Sequence, residues 1–123
     1  MTYLRGLGLT GPKSVCGEGA CGTCSVLLAT LADDQGSVDH LVVNACTTRL
    51  ASLHGASVTT VEGVGGTGSR GQLHPVQERL YKGHGSQCGF CSPGMVMAMV
   101  GLLKNCPTPD IEDVANGIKV GTK

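Results

Sequence analysis

The sequence contains no tryptophan, one phenylalanine and two tyrosines in 123 residues, so the large aromatic side chains that usually dominate a small core are nearly missing. A chain this short forms one domain or two small ones and buries little apolar surface. Something other than core size must contribute stability. Excess charge is missing as well: Lys plus Arg and Asp plus Glu are nine each, which leaves no net field to draw the molecule toward nucleic acid or an anionic membrane. No window approaches the roughly 20 apolar residues that span a bilayer, and the start, Met1 to Leu7, lacks the apolar stretch of a signal peptide. Ser-His-Asp groupings, phosphate loops and dinucleotide fingerprints are absent too. The expectation is a cytoplasmic protein without nucleic-acid or membrane partners and without a substrate site of its own.

What the chain does have is cysteine and glycine, seven and 20 of them. In a reducing compartment cysteines are metal ligands or redox groups more often than disulfides, and an odd count leaves pairing incomplete. The glycines crowd into Gly6 to Gly22 and Gly63 to Gly71. Between the crowds, Val26-Leu27-Leu28, Leu41-Val42-Val43 and Val58-Thr59-Thr60-Val61 are short apolar or β-branched runs that read as strands, with Asp33-Asp34-Gln35-Gly36 as a turn after the first.

After Gln72 the pattern turns helical. His74 to Tyr81 has Pro near its start and closes at Gly83; Ser92-Pro93, with Ser as N-cap, opens an apolar helix to about Asn105. A third helix begins near Thr108-Pro109-Asp110 with an acidic first turn and ends at Asn116-Gly117. The chain therefore divides into a mostly β part, 1–62, a glycine-rich linker, 63–72, and a helical part, 73–123.

Cys16-Gly-Glu-Gly-Ala-Cys21-Gly-Thr-Cys24 is a C-x4-C-x2-C motif, with Cys46 standing alone further on. This is the plant-type [2Fe–2S] ferredoxin spacing. Each iron of the rhombus needs two thiolates, so a tight loop wraps one side and a distant residue closes the other. Gly17, Gly19 and Gly22 give the loop its freedom, since glycine reaches positive φ cheaply and lets amide N–H groups approach the sulfurs. Zinc is the competing reading, but its ligands usually come as two short knuckles of paired cysteines.

Gln87-Cys88-Gly89-Phe90-Cys91-Ser92-Pro93-Gly94 sets a C-x-x-C at a helix start, where amides and the dipole lower thiol pKa values. Read alone, it is half of a cluster site, a thioredoxin-like dithiol, two zinc ligands, or two cysteines without chemistry. Met95, Met97 and Met99 read as faces of a buried helix, Cys106 as an incidental helix-end cysteine, Glu18 as a solvated loop residue, and His40, His54, His74 and His84 as turn or cap residues.

Taken in order, these motifs resemble the iron–sulfur part of the molybdenum hydroxylases, the xanthine dehydrogenases and aldehyde oxidases. The match includes Cys16 to Cys24, Asn44-Ala45-Cys46, Leu53-His54-Gly55, Val58 to Gly63, His74 to Leu80 and His84 to Met97, and runs from about Tyr3 to Gly117. The resemblance implies an α+β chain: a β-grasp [2Fe–2S] ferredoxin-like domain followed by an all-α helical-bundle domain holding a second [2Fe–2S] cluster. It also implies electron transfer from a molybdopterin centre toward FAD, on partner domains or subunits, with Gln87 beside the molybdopterin and Cys88 and Cys91 as ligands of the second cluster.

Two departures accompany the resemblance. The family's first β-hairpin, ahead of the segment like Tyr3 to Leu9, has no counterpart, which leaves a sheet edge and part of an apolar face exposed. Val120 and Thr122 stand where the family has the last two cysteines of the helical-domain cluster, and neither replaces a thiolate. The expectation is a chain truncated at both ends, with one cluster on Cys16, Cys21, Cys24 and Cys46 and an incomplete second site. The alternative is a non-catalytic remnant that acts at most as a subunit-interaction fragment; thiol–disulfide exchange at Cys88 and Cys91 is a third reading.

Overall fold

The computed structural model describes residues 1–32, 36–66 and 71–118. The turn expected at Asp33 to Gln35, residues 67–70 of the glycine-rich linker and the positions of Val120 and Thr122 lie outside the described residues.

The chain is α+β: a small three-stranded antiparallel sheet with helices packed on it. A short helix, α1 (Thr2–Gly6), leads through an irregular loop to β1 (Ser25–Leu31), the central strand, flanked by β2 (Val38–Asn44) and β3 (Ser57–Thr59). A 3₁₀ turn, Leu50–Leu53, lies between β2 and β3. The third apolar run stops being strand earlier than its β-branched composition suggests. Thr60 is the N-cap of a single helical turn, α2 (Val61–Val64), so Val61 and Glu62 are helical.

Three longer helices follow. In α3 (Pro75–Lys82), His74 caps the start, accepting at Nδ1 from the Val76 amide at 3.2 Å while the Gln77 side chain accepts from the His74 amide at 2.9 Å. In α4 (Ser92–Asn105) the N-cap is Cys91, one residue before the expected Ser92, and Pro93 sits in the first turn, where its missing N–H costs nothing. In α5 (Ile111–Gly117), Asp110 and Asp113 form a reciprocal capping box.

The register explains the core. Leu27 lies opposite Val42 and Thr59, and that row faces α4, where Val96, Met97 and Val100 close over Leu27. Met97 is fully buried, as the buried-helix reading of the methionines requires. The next row, Leu41, Leu28 and Val58, points to the opposite face. There Cys24, Val26, Leu28 and Ala45 form a second cluster under Met1, Leu4 and Leu53. Leu41 and Val58, on the two edge strands, remain exposed.

Candidate metal centre

The loop that carries Cys16, Cys21 and Cys24 is closed at its base. The Lys13 amide donates to the Thr23 carbonyl at 3.0 Å, and the Thr23 hydroxyl donates back to the Lys13 carbonyl at 3.2 Å. Gly17, Gly19 and Gly22 all have positive φ, 73°, 84° and 65°, the left-handed conformation that an L side chain resists. The glycine spacing thus does what the sequence required of it.

Cys46 reaches the loop from the end of β2. Asn44, two residues before it, donates from Nδ2 to the Gly19 carbonyl at 2.8 Å. Its Oδ1 accepts from the Ser25 hydroxyl at 3.4 Å and from the Cys24 thiol at 3.9 Å, and its carbonyl accepts from the amides and hydroxyls of Thr47 and Thr48. Sequence reasoning placed Asn44 in a motif and gave it no role; its adjacency to Ala45-Cys46 was the available signal.

All seven cysteines are free thiols. The Cys16 thiol is influenced by the Cys21 side chain, and the Cys24 thiol by that of Cys46. Among the described residues no three His, Cys, Asp or Glu side chains gather as a ligand set for a single ion. A two-iron rhombus asks for two thiolates on each iron, and Cys16, Cys21, Cys24 and Cys46 supply that number.

Electrostatics differ between Cys16 and Cys24. The Glu18 amide does most to hold the Cys16 thiol down at about 6, with the Cys21 amide, the Cys21 side chain and the Ala20 amide acting in the same direction against slight burial. At Cys24 burial pushes the thiol up, and the neighbouring Cys46 side chain adds to that while its amide opposes. The loop therefore aims N–H groups at a sulfur anion on its outer side and keeps the inner thiol dry. These residues fit a [2Fe–2S] group.

The second cysteine group is less complete. Cys88 and Cys91 are exposed, on a turn that passes through Gly89 at φ 82° into α4. They supply two of the four thiolates a second cluster needs, and no third His, Cys, Asp or Glu joins them among the described residues. Cys106 caps the other end of α4, about 20 Å away at 1.5 Å per helical residue, where its thiol points to the Asp113 carboxylate at 3.9 Å. Gln87 is exposed. Next to this turn a cleft of about 540 Å³ opens between α3, α4 and Lys13, lined by Leu80, His84, Gly89, Ser92 and Val96 among others; Gln87 does not line it. No helix of the described residues is long and apolar enough to cross a membrane.

Known proteins are similar to this chain in sequence and fold. Residues 1–51 match the family of 2Fe-2S iron-sulfur cluster binding domains, and residues 60–120 match the [2Fe-2S] binding domain family. The chain is 52% identical over 120 residues to the xanthine dehydrogenase/oxidase of Felis catus, and 53% identical over 119 residues to aldehyde oxidase 2 of Cavia porcellus. Those stretches are 97% and 96% of this chain but 9% of each relative. Aldehyde oxidoreductase from Desulfovibrio gigas superposes with a TM-score of 0.79 at 41% identity, over 94% of this chain and 12% of that one. Quinoline 2-oxidoreductase from Pseudomonas putida gives 0.74 at 30% identity, over 95% and 64%.

Proposed function

Since this chain belongs to the iron–sulfur portion of the xanthine dehydrogenase and aldehyde oxidase family, we propose that it is a one-electron relay built on a [2Fe–2S] site at Cys16, Cys21, Cys24 and Cys46. The observation that carries this reading is a loop of left-handed glycines bearing Cys16, Cys21 and Cys24, tied through Asn44 to the segment that bears Cys46. In the same reading residues 1–62 are a β-grasp ferredoxin-like domain, and 73–123 belong to a helical-bundle domain whose Cys88 and Cys91 contribute to a second site.

When bound, such a cluster supplies one-electron exchange without proton transfer. The chain's own residues hold and tune it. Four thiolates would grip the irons; the amides of Glu18, Ala20 and Cys21 would offset negative charge, which favours the reduced state; buried Cys24 would limit water on the inner side. Electrons would come from a molybdopterin centre and leave toward FAD on partner domains, with Gln87 on the molybdopterin side. The family match weighs against the reading as an interaction remnant.

Anaerobic reconstitution of the full chain and of Cys46→Ser tests the proposal, with iron and acid-labile sulfide assays and EPR after reduction. About two irons and two sulfides per chain with an S = 1/2 signal are expected of one such cluster, and the variant should lose both. Wild-type protein that takes up no iron would overturn the relay.

A further inference from the structure

The helix that carries the second cysteine pair rests directly on the loop of the first. Gly94, in the opening turn of α4, is buried, and a Cβ placed on it would overlap the Gly22 carbonyl oxygen and stand 3.2 Å from both the Gly22 carbonyl carbon and the Thr23 Cα. These are backbone atoms, which cannot swing aside as a flexible side chain does. Gly22 follows Cys21 directly and Thr23 precedes Cys24, so α4 packs on the peptides that link two of the four thiolates. From the other side Ser25, also buried, donates to the same Gly22 carbonyl through its amide at 3.2 Å and its hydroxyl at 2.7 Å.

Glycine inside a helix is less favourable than alanine, and α4 contains two, Gly94 and Gly101. Each stands where the helix backbone comes close to something else. At Gly101 that is the Val42 side chain on the sheet, far from the cysteines; at Gly94 it is the cysteine loop itself.

We propose that Gly94 is a positioning residue for the first cysteine loop: by docking α4 backbone to backbone on Gly22, it fixes the Cys21–Cys24 segment against movement when the site is loaded and when its charge changes. The inference rests on the relay reading above and extends it, because it makes the conformation of the helix bearing Cys88 and Cys91 a determinant of the first site.

The test compares wild type, Gly94→Ala, Gly101→Ala and Ser25→Ala in the full chain. Each is reconstituted anaerobically and followed by iron content, EPR g-values, midpoint potential and thermal unfolding of the apoprotein. Gly94→Ala should lose most of its iron or shift g-values and potential. Gly101→Ala, whose added methyl meets the Val42 side chain at the sheet end of the same helix and not the loop backbone, should lower the unfolding temperature and keep the wild-type signature. Ser25→Ala, which removes the hydroxyl bond to the Gly22 carbonyl and keeps the amide bond without adding an atom, should shift the g-values at full iron content, and so gives an answer even if Gly94→Ala does not fold. Wild-type g-values in fully loaded Gly94→Ala or Ser25→Ala, or an equal change in Gly101→Ala, would overturn the role of Gly94 while leaving the relay standing. A wild type without iron would overturn both.

Discussion

The Asn44 side chain holds the Gly19 carbonyl at 2.8 Å, tying the end of β2 to the middle of the cysteine loop. One amide thereby orients two cysteine-bearing segments, because Cys46 lies two residues along from Asn44 and the Gly19 peptide lies between Cys16 and Cys21. Asn44→Ala should weaken the apoprotein by about 1–3 kcal/mol, the cost of leaving polar partners unsatisfied. It should also slow cluster assembly. Urea unfolding and the time course of the visible absorption during reconstitution check both.

The apoprotein thiols should differ in reactivity. Thiolate is the nucleophile, so Cys16, held at about 6 chiefly by the Glu18 amide, should be alkylated by iodoacetamide near pH 7 well before Cys24, whose thiol is pushed up by burial. Peptide mass spectrometry after timed quenching reads the order. Equal rates at the two sites would show that the loop amides do not face Cys16 in solution.

Glu62 supplies a pH dependence. Burial alone would raise its carboxyl, but hydrogen bonds from Thr60 and the Gly11 and Glu62 amides, with the charge of Lys13, outweigh that and hold it below its usual value. Its Oε1 accepts from the Gly11 amide at 2.5 Å, fastening the segment before the cysteine loop to α2. With the folded value below the unfolded one, about 4.3, the stabilisation is fully present above that pH and lost as pH falls through the folded value. The urea midpoint of the wild-type apoprotein should therefore exceed that of Glu62→Gln at pH 7, and the gap should narrow below pH 4.

Met97 is the fully buried side chain of α4, packed toward Leu27. Met97→Ala should cost about 2–5 kcal/mol, the range for deleting a large buried side chain, measured by urea unfolding. Cys106→Ser, at the far end of the helix, should leave iron content unchanged.

Much of this arrangement was legible in the chain. Short apolar or β-branched runs bounded by turn residues marked β1 and β2, and Pro75, Pro93 and Asp110 marked helix starts through backbone chemistry that needs no tertiary context. The four cysteines and three loop glycines declared themselves by spacing. What stayed hidden depends on distant approach. Val61 leaves the strand for a helical turn although it is β-branched, packing against the core under α4. Gly94 reads in sequence as an ordinary helix-start glycine; only the folded chain brings Gly22 against it. Asn44 likewise looks like any residue at a strand end until its amide meets Gly19.

The bracing of the loop by α4 also bears on the order of assembly. The helix is joined to the sheet across a long stretch of chain, as the bond from Asn105 Nδ2 to the His40 carbonyl, 65 residues earlier, illustrates. Such distant closures form late, and a nascent chain exposes its N-terminal part first. The thiols of the loop thus leave the ribosome before α4 does, and the contact of Gly94 with Gly22 can form only once that helix has emerged.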